Sequence, residues 1–126
     1  MEKVGLIMFD LKFYEGKIME ELTLNEYQKL AMRTAKQFDC KKDMQTDVGL
    51  GLAGEAGEVA DIIKKHLAGA KQLDENHLVE ELGDILWYLA EASECFNVSL
   101  EEIAKKNIEK LAKRHPNGFS GYGIRE

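Results

Sequence analysis

Hydrophobic positions along this 126-residue chain recur at helical rather than alternating intervals, and four segments carry the pattern. The first opens near Thr23, where Thr23 and Glu26 have the spacing of a capping box, and continues through NEYQKLAMRTAKQF. The second covers Thr46 to Leu67, with Val48, Leu52, Val59, Ile62 and Ile63 as its inward stripe and Gly69 placed to end it. The third runs from Glu75 to Phe96 and turns Leu78, Leu82, Ile85 and Leu89 inward. Val79, Leu86, Trp87 and Ala90 make this third segment apolar nearly all round, which favours burial against a second subunit and assigns Trp87 to that interface. Ser99 and Glu102 form another capping box, opening a fourth helix that ends before HPNGF. The connections are short, as expected of antiparallel neighbours, and the single proline, Pro116, lies beyond all four segments. The expected fold class is therefore all-α, with a four-helix bundle core.

Residues 1–22 do not follow the scheme and are read as an N-terminal extension of unknown role: a strand-like arm, an extra helix or a subunit contact. Residues 23–120 form the helical domain and 121–126 a C-terminal tail. A 44% hydrophobic composition suits one domain with one core, which at this length often gains stability by pairing with another copy.

Charge narrows the choice of partners. There are 17 basic and 23 acidic residues, a formal net charge of −6, so attraction to nucleic acid or to an anionic membrane surface is not expected. No apolar run approaches the roughly 20 residues needed to cross a bilayer, and MEKVGLIMFD lacks the pattern of a secretory signal. Cys40 and Cys95 lack C-x-x-C spacing and are too few for a disulfide framework, pointing to a reducing, cytoplasmic setting.

The stretch GLGLAGEAGEVAD, residues 49–61, begins with the G-x-G-x-x-G spacing of a dinucleotide-binding turn. That turn requires a strand ending at its first glycine, but the preceding KKDMQTD is polar and lacks a strand's alternation. The stretch reads instead as helix. Glycine there costs about 1 kcal/mol relative to alanine, so the small residues need another purpose. Gly49, Gly51, Ala53, Gly54, Ala56 and Gly57 allow another backbone to approach and leave space beside Glu55 and Glu58.

Glu55 and Glu58 flank the apolar stripe of the second helix, and Glu81, Asp84 and Tyr88 flank that of the third. Antiparallel packing would bring four carboxylates to one mouth of the bundle, where they cannot all stay ionised without a counter-charge. Hard oxygen donors without histidine or cysteine favour Mg²⁺, with Mn²⁺ as a substitute. A di-iron bundle would place histidine three residues after a glutamate, and those positions hold Glu58 and Asp84. His66, His77 and His115 are scattered and are read as surface or capping residues. Asp61 with Lys65, Glu102 with Lys106 and Glu109 with Lys113 have ordinary helix ion-pair spacing. Asn107, Lys110 and Arg114 share one face of the fourth helix, either complementing its dipole or holding an anion.

GLAGEAGEVADIIKK, EELGDILWYLA and NIEKLAKRHPNGF, in that order over residues 25–120, resemble the MazG-like nucleotide pyrophosphohydrolases. The resemblance implies a four-helix fold assembled as a dimer or a dimer of dimers, so a homodimer or homotetramer. It implies Mg²⁺-dependent cleavage of nucleoside triphosphates between the α and β phosphates, to monophosphate and pyrophosphate. Glu55 and Glu58 match the family's E-x-x-E, and Glu81 and Asp84 its E-x-x-D, as metal ligands. Asn107, Lys110 and Arg114 fall where relatives contact the nucleotide; on this mechanism Glu58 is the choice for the water-activating base, and Tyr88, one turn after Asp84, either meets the sugar or base or packs in the core. Many relatives carry E-E-x-x-E, whereas Gly54 stands here in place of the first acid. Two other functions fit the pattern: a phosphoribosyl-ATP pyrophosphohydrolase, and a non-catalytic helical module that only assembles with itself.

Overall fold

A computed structural model describes residues 21–118 of the chain. The N-terminal extension up to residue 20 and the tail expected at 121–126 lie outside the described residues. Among the described residues four α-helices are delimited in sequence: α1 (Leu24–Ala31), α2 (Lys41–Leu67), α3 (Glu75–Cys95) and α4 (Leu100–Arg114), with a 3₁₀ turn at Met32–Thr34. Among the described residues there is no strand, and no helix is long and apolar enough to cross a membrane.

Local chemistry explains most of the boundaries. Thr23 and Glu26 close the expected capping box on α1, the Thr23 hydroxyl accepting from the Glu26 N–H at 3.2 Å and the Glu26 carboxylate accepting from the Thr23 N–H at 2.9 Å. Gly69 adopts φ 70° after α2, allowing the Ala70 N–H to reach back to the Lys65 carbonyl at 3.0 Å. Asp74 caps α3 by accepting from the His77 N–H at 3.1 Å, and Ser99 caps α4 by accepting from the Glu102 N–H at 3.1 Å.

Two boundaries differ from expectation. The first helix stops at Ala31, giving way to the 3₁₀ turn, instead of continuing to Phe38. The Ala31 carbonyl accepts from the Trp87 indole N–H at 3.0 Å and from the Thr34 hydroxyl at 3.0 Å, while the Ala35 N–H bonds to Met32, so the α-helical ladder ends. The second helix starts at Lys41, five residues before Thr46. Thr46 does not cap it; its hydroxyl donates back to the Lys42 carbonyl at 2.9 Å from within the helix.

Helices α2 and α3 form the main antiparallel pair. Glu55 meets Glu81, and Gly51 lies against Tyr88, so each turn toward the start of α2 matches a turn toward the end of α3. Helix α1 packs on α3 and α4, and α4 makes no contact with α2. Gln28 ties three elements together, its amide oxygen accepting from the Leu100 N–H at 2.8 Å and its amide nitrogen donating to Glu94 at 2.9 Å. The tightest packing is at this end, around Val48, Ala90, Cys95 and Leu100.

The inward stripe assigned to α3 is only partly inward. Leu82 is 47% exposed and Leu89 37%, whereas Ala90, Glu91, Ser93 and Cys95 are the buried positions. The bundle closes on the side where α1 lies and leaves the Val79–Leu82 side of α3 uncovered. Trp87, expected at a subunit interface, directs its indole N–H into its own chain, to the Ala31 carbonyl and to the Thr34 hydroxyl at 2.9 Å. Trp87→Phe removes both bonds and is expected to lower stability by about 1–2 kcal/mol. An unchanged urea midpoint would remove this role from Trp87.

Candidate metal and nucleotide site

Glu55 on α2 and Glu81 and Asp84 on α3 converge, each offering an oxygen within 4.8 Å of the others. Glu55 and Glu81 are half-buried, and Asp84 opens to solvent. The Glu55 carboxyl is held above the usual carboxylate range first by burial, then by a hydrogen bond with Glu81 and by the charges of Asp84, Glu81 and Glu58. Two carboxylates in hydrogen-bonding contact need a shared proton or a cation between them. The charges that act on Glu55, those of Asp84, Glu81 and Glu58, are all negative. Three hard oxygen donors with solvent access on one side fit a divalent ion such as Mg²⁺ or Mn²⁺, which retains several waters.

Glu58 stands apart from this trio. It is exposed and contributes no oxygen to the cluster, although its charge reaches Glu55 one turn away. Three of the four acids expected at the bundle mouth therefore converge.

Two neighbours were not legible as site residues. His77 Nε2 lies 3.0 Å from a Glu81 carboxylate oxygen, bracing that side chain from one turn earlier on α3. The signal was the four-residue interval between them, which is also that of an ordinary surface pair. Tyr27 on α1 has its hydroxyl pushed toward higher pKa by burial and by the charge of Asp84, placing α1 at the rim of the cluster. His77→Ala is expected to weaken Mg²⁺ binding about 10-fold by freeing Glu81 to reorient. Titration calorimetry on the folded variant checks this, and unchanged affinity would exclude the bracing role.

Tyr88 occupies the next turn of the α2–α3 pair. Its ring lies across Gly51, where an added Cβ would fall 2.1 Å from the ring, and it meets Trp87 edge-on with centroids 5.0 Å apart. The glycine thus admits an aromatic side chain, not another backbone. Gly49, Gly54 and Gly57 have nothing within 4 Å of an added Cβ, which is the open space expected near Glu55 and Glu58. Tyr88, Gly51, Leu50, Asp47, Thr46, Asp43 and Phe38 line a cleft of about 430 Å³, within the size range of small-ligand sites.

Asn107, Lys110 and Arg114 are exposed on α4, away from the acids. Lys110 and Arg114 line a shallow depression with Lys106, Glu109 and Lys113. The expected ion pairs Asp61–Lys65 and Glu102–Lys106 form, the latter at 3.9 Å. No pair forms between Glu109 and Lys113.

The acids and the helices that carry them find a counterpart among known proteins. Residues 45–119 match the MazG nucleotide pyrophosphohydrolase domain, so the chain belongs to the MazG family, and its all-helical architecture agrees with that family's all-α fold. The chain is similar to the gene 37 protein of Mycobacterium phage L5, with 37% identity over 75 residues, covering 56% of this chain and 66% of the phage protein. It is also similar to the uncharacterized protein YvdC of Bacillus subtilis strain 168, with 35% identity over 72 residues, covering 50% of this chain and 68% of that protein. No solved structure matches the chain significantly.

Proposed function

We propose that the protein is a Mg²⁺-dependent nucleoside triphosphate pyrophosphohydrolase, cleaving between the α and β phosphates to give the monophosphate and pyrophosphate. The observation that carries this reading is the convergence of Glu55, Glu81 and Asp84 within 4.8 Å, in a domain whose family acts on nucleotides. Glu55, Glu81 and Asp84 would hold the ion, with His77 bracing Glu81. A bound Mg²⁺ would neutralise phosphate charge and acidify a water. Glu58, exposed and outside the cluster, is free to orient that water toward the α-phosphorus and take its proton. Tyr88 lines the cleft one turn from Glu55 and offers its ring and hydroxyl to the sugar or base. Asn107, Lys110 and Arg114 supply donors and positive charge for the departing pyrophosphate.

Those cations lie on a helix that does not touch α2, so we place them opposite the acids of a neighbouring copy in a homodimer or homotetramer. Exposed Val79, Leu82, Ile103 and Ile108 support such assembly. Free Cys40 and Cys95 support a cytoplasmic location.

The test is release of pyrophosphate and monophosphate from a panel of ribo- and deoxyribonucleoside triphosphates with Mg²⁺ or Mn²⁺. Metal-dependent formation of both products in equal amounts is expected. Release of inorganic phosphate, or no turnover by a folded oligomer, would overturn the reading.

A further inference from the structure

A second pair of acids lies one turn beyond Tyr88 and belongs to no role described so far. Asp47 precedes Gly51 by one turn on α2, and Glu91 follows Tyr88 by one turn on α3, so the antiparallel register sets the two carboxyl groups facing each other. Glu91 is completely buried, at 0% exposure. Both of its oxygens and Oδ2 of Asp47 are buried without a hydrogen-bonding partner if both groups are taken as ionised acceptors. The other Asp47 oxygen accepts from the Lys36 ammonium at 3.3 Å. Glu91 is enclosed, Asp47 is partly exposed and Lys36 lies at the surface, so two facing carboxylates against one solvated ammonium leave a net negative charge at a buried position. A single proton removes that charge and turns one acceptor into a donor.

We propose that Glu91 is carried as a neutral carboxylic acid donating its proton to Asp47, and that this bridge is a positioning element holding Tyr88 across Gly51. The neutral triad of Lys36, Asp47 and Glu91 pins the start of α2 to the end of α3 immediately behind the ring. Burial first, then the charge of Asp47 and a hydrogen bond with it, raise the Glu91 carboxyl above its ordinary range, with Lys36 opposing. The Tyr88 hydroxyl responds to the same centre, being raised by burial and then by Asp47, with smaller effects from Lys36, Glu55 and Glu91.

The charges that act on Glu91 are those of Asp47 and Lys36; Arg33 on the 3₁₀ turn packed against α3 and Glu94, which accepts from Gln28, are the charged side chains on the adjoining turns. Asp47 faces it from α2, Lys36 from the stretch before α2, and Tyr88 from α3 itself. On α1, Tyr27 answers to Asp84 and Lys29 is exposed; on α4, Glu101 and Glu102 pair with Lys105 and Lys106. The native state therefore binds this proton where the unfolded chain has released it. The stability it contributes is fully present below the ordinary carboxylate pKa and is lost as pH rises through the raised native value.

The experiment is a pH titration followed by the side-chain carboxyl ¹³C signals of labelled glutamate and by the Tyr88 ring signals, on the full chain and on Glu91→Gln and Glu91→Ala. The Glu91 signal, identified by its loss in Glu91→Gln, is expected at a neutral-acid shift at neutral pH and to titrate above the ordinary carboxylate range. The Tyr88 signals are expected to move in step with it. Glutamine donates to Asp47 as the neutral acid does, so Glu91→Gln is expected to keep the Tyr88 signals and to remove the step in them that follows the Glu91 titration, leaving only the response to Glu55. Glu91→Ala is expected to shift them. A carboxylate shift for Glu91 at neutral pH, as an ionised cation ligand would show, overturns the proposal. So does a Glu91 titration that leaves Tyr88 unmoved. Should Glu91→Ala not fold, the wild-type and Glu91→Gln titrations still decide. The outcome is independent of whether the cleft receives a nucleotide.

Discussion

Asp84→Asn is expected to lower Mg²⁺-dependent pyrophosphate release on the order of 10³-fold, a loss of about 4 kcal/mol of transition-state stabilisation. The same substitution removes a negative charge from a cluster of three acids, so in chelator the variant is expected to melt at the wild-type temperature or higher. Opposite signs for activity and metal-free stability distinguish a ligand from a residue that merely supports the fold. Added Mg²⁺ is expected to raise the melting temperature of the wild type much more than that of the variant. A folded Asp84→Asn protein with full metal-dependent turnover would remove Asp84 from the site.

The pH dependence follows from Glu55. Its raised carboxyl must lose a proton before it can hold a cation, so Mg²⁺ affinity is expected to fall as pH drops through that raised value, with protons released on binding. Without metal the sign reverses. Native Glu55 keeps a proton that the unfolded chain has lost, so the stability it contributes is present at low pH and disappears as pH rises through the native value. Proton release measured in two buffers of different ionisation enthalpy checks the first statement. Chelator melts across the same pH range check the second.

The other large effect is a contrast between two glycines of α2. Gly51→Ala would set a methyl group 2.1 Å from the Tyr88 ring, 2.3 Å from its Cζ and 2.5 Å from its Cδ1, so the ring must leave. Overpacking of this kind costs about 1–3 kcal/mol and outweighs the gain of about 1 kcal/mol that alanine brings to a helix. Gly54→Ala meets nothing within 4 Å and is expected to gain most of that 1 kcal/mol, of order 0.5–1 kcal/mol. Urea midpoints of the two variants should therefore move in opposite directions. Combining Gly51→Ala with Tyr88→Ala isolates the cause, because without the ring the alanine at 51 is expected to become stabilising. If both single variants moved the midpoint the same way, the ring would not be what the glycine serves.

Features written within one turn of the chain were legible in the sequence, and features set by a neighbouring helix were not. The Thr23–Glu26 box, the cap at Gly69 and the Asp61–Lys65 pair need only local spacing, and each is found where that spacing put it. The flank positions of Glu55, Glu81 and Asp84 follow from helical period alone, which is why their convergence was foreseeable. The end of α1 was not, because it depends on an indole donor from Trp87, 56 residues further on. The buried side of α3 was misjudged because hydrophobicity argued for Leu82 and Leu89, while the fold encloses Glu91 and Ser93. A protonated glutamate bonded to an acceptor costs far less to bury than a carboxylate, and residue type does not show which form a side chain carries. The glycines look alike in sequence, yet only the one facing Tyr88 is filled.

Helix α4 is attached at its first turn, through the Leu100 N–H bonded to Gln28 and through Glu101 bonded to Asn25 at 3.2 Å. Past Ala104 every described residue is exposed. Such a helix is a cantilever about 20 Å long, so a tilt of roughly 10° at its root sweeps the tip by about 4 Å. That travel exceeds the length of a hydrogen bond between Arg114 and an anion. A surface that seated exposed Ile103, Ile108 and Leu111 along the beam would therefore set the reach of the terminal cations.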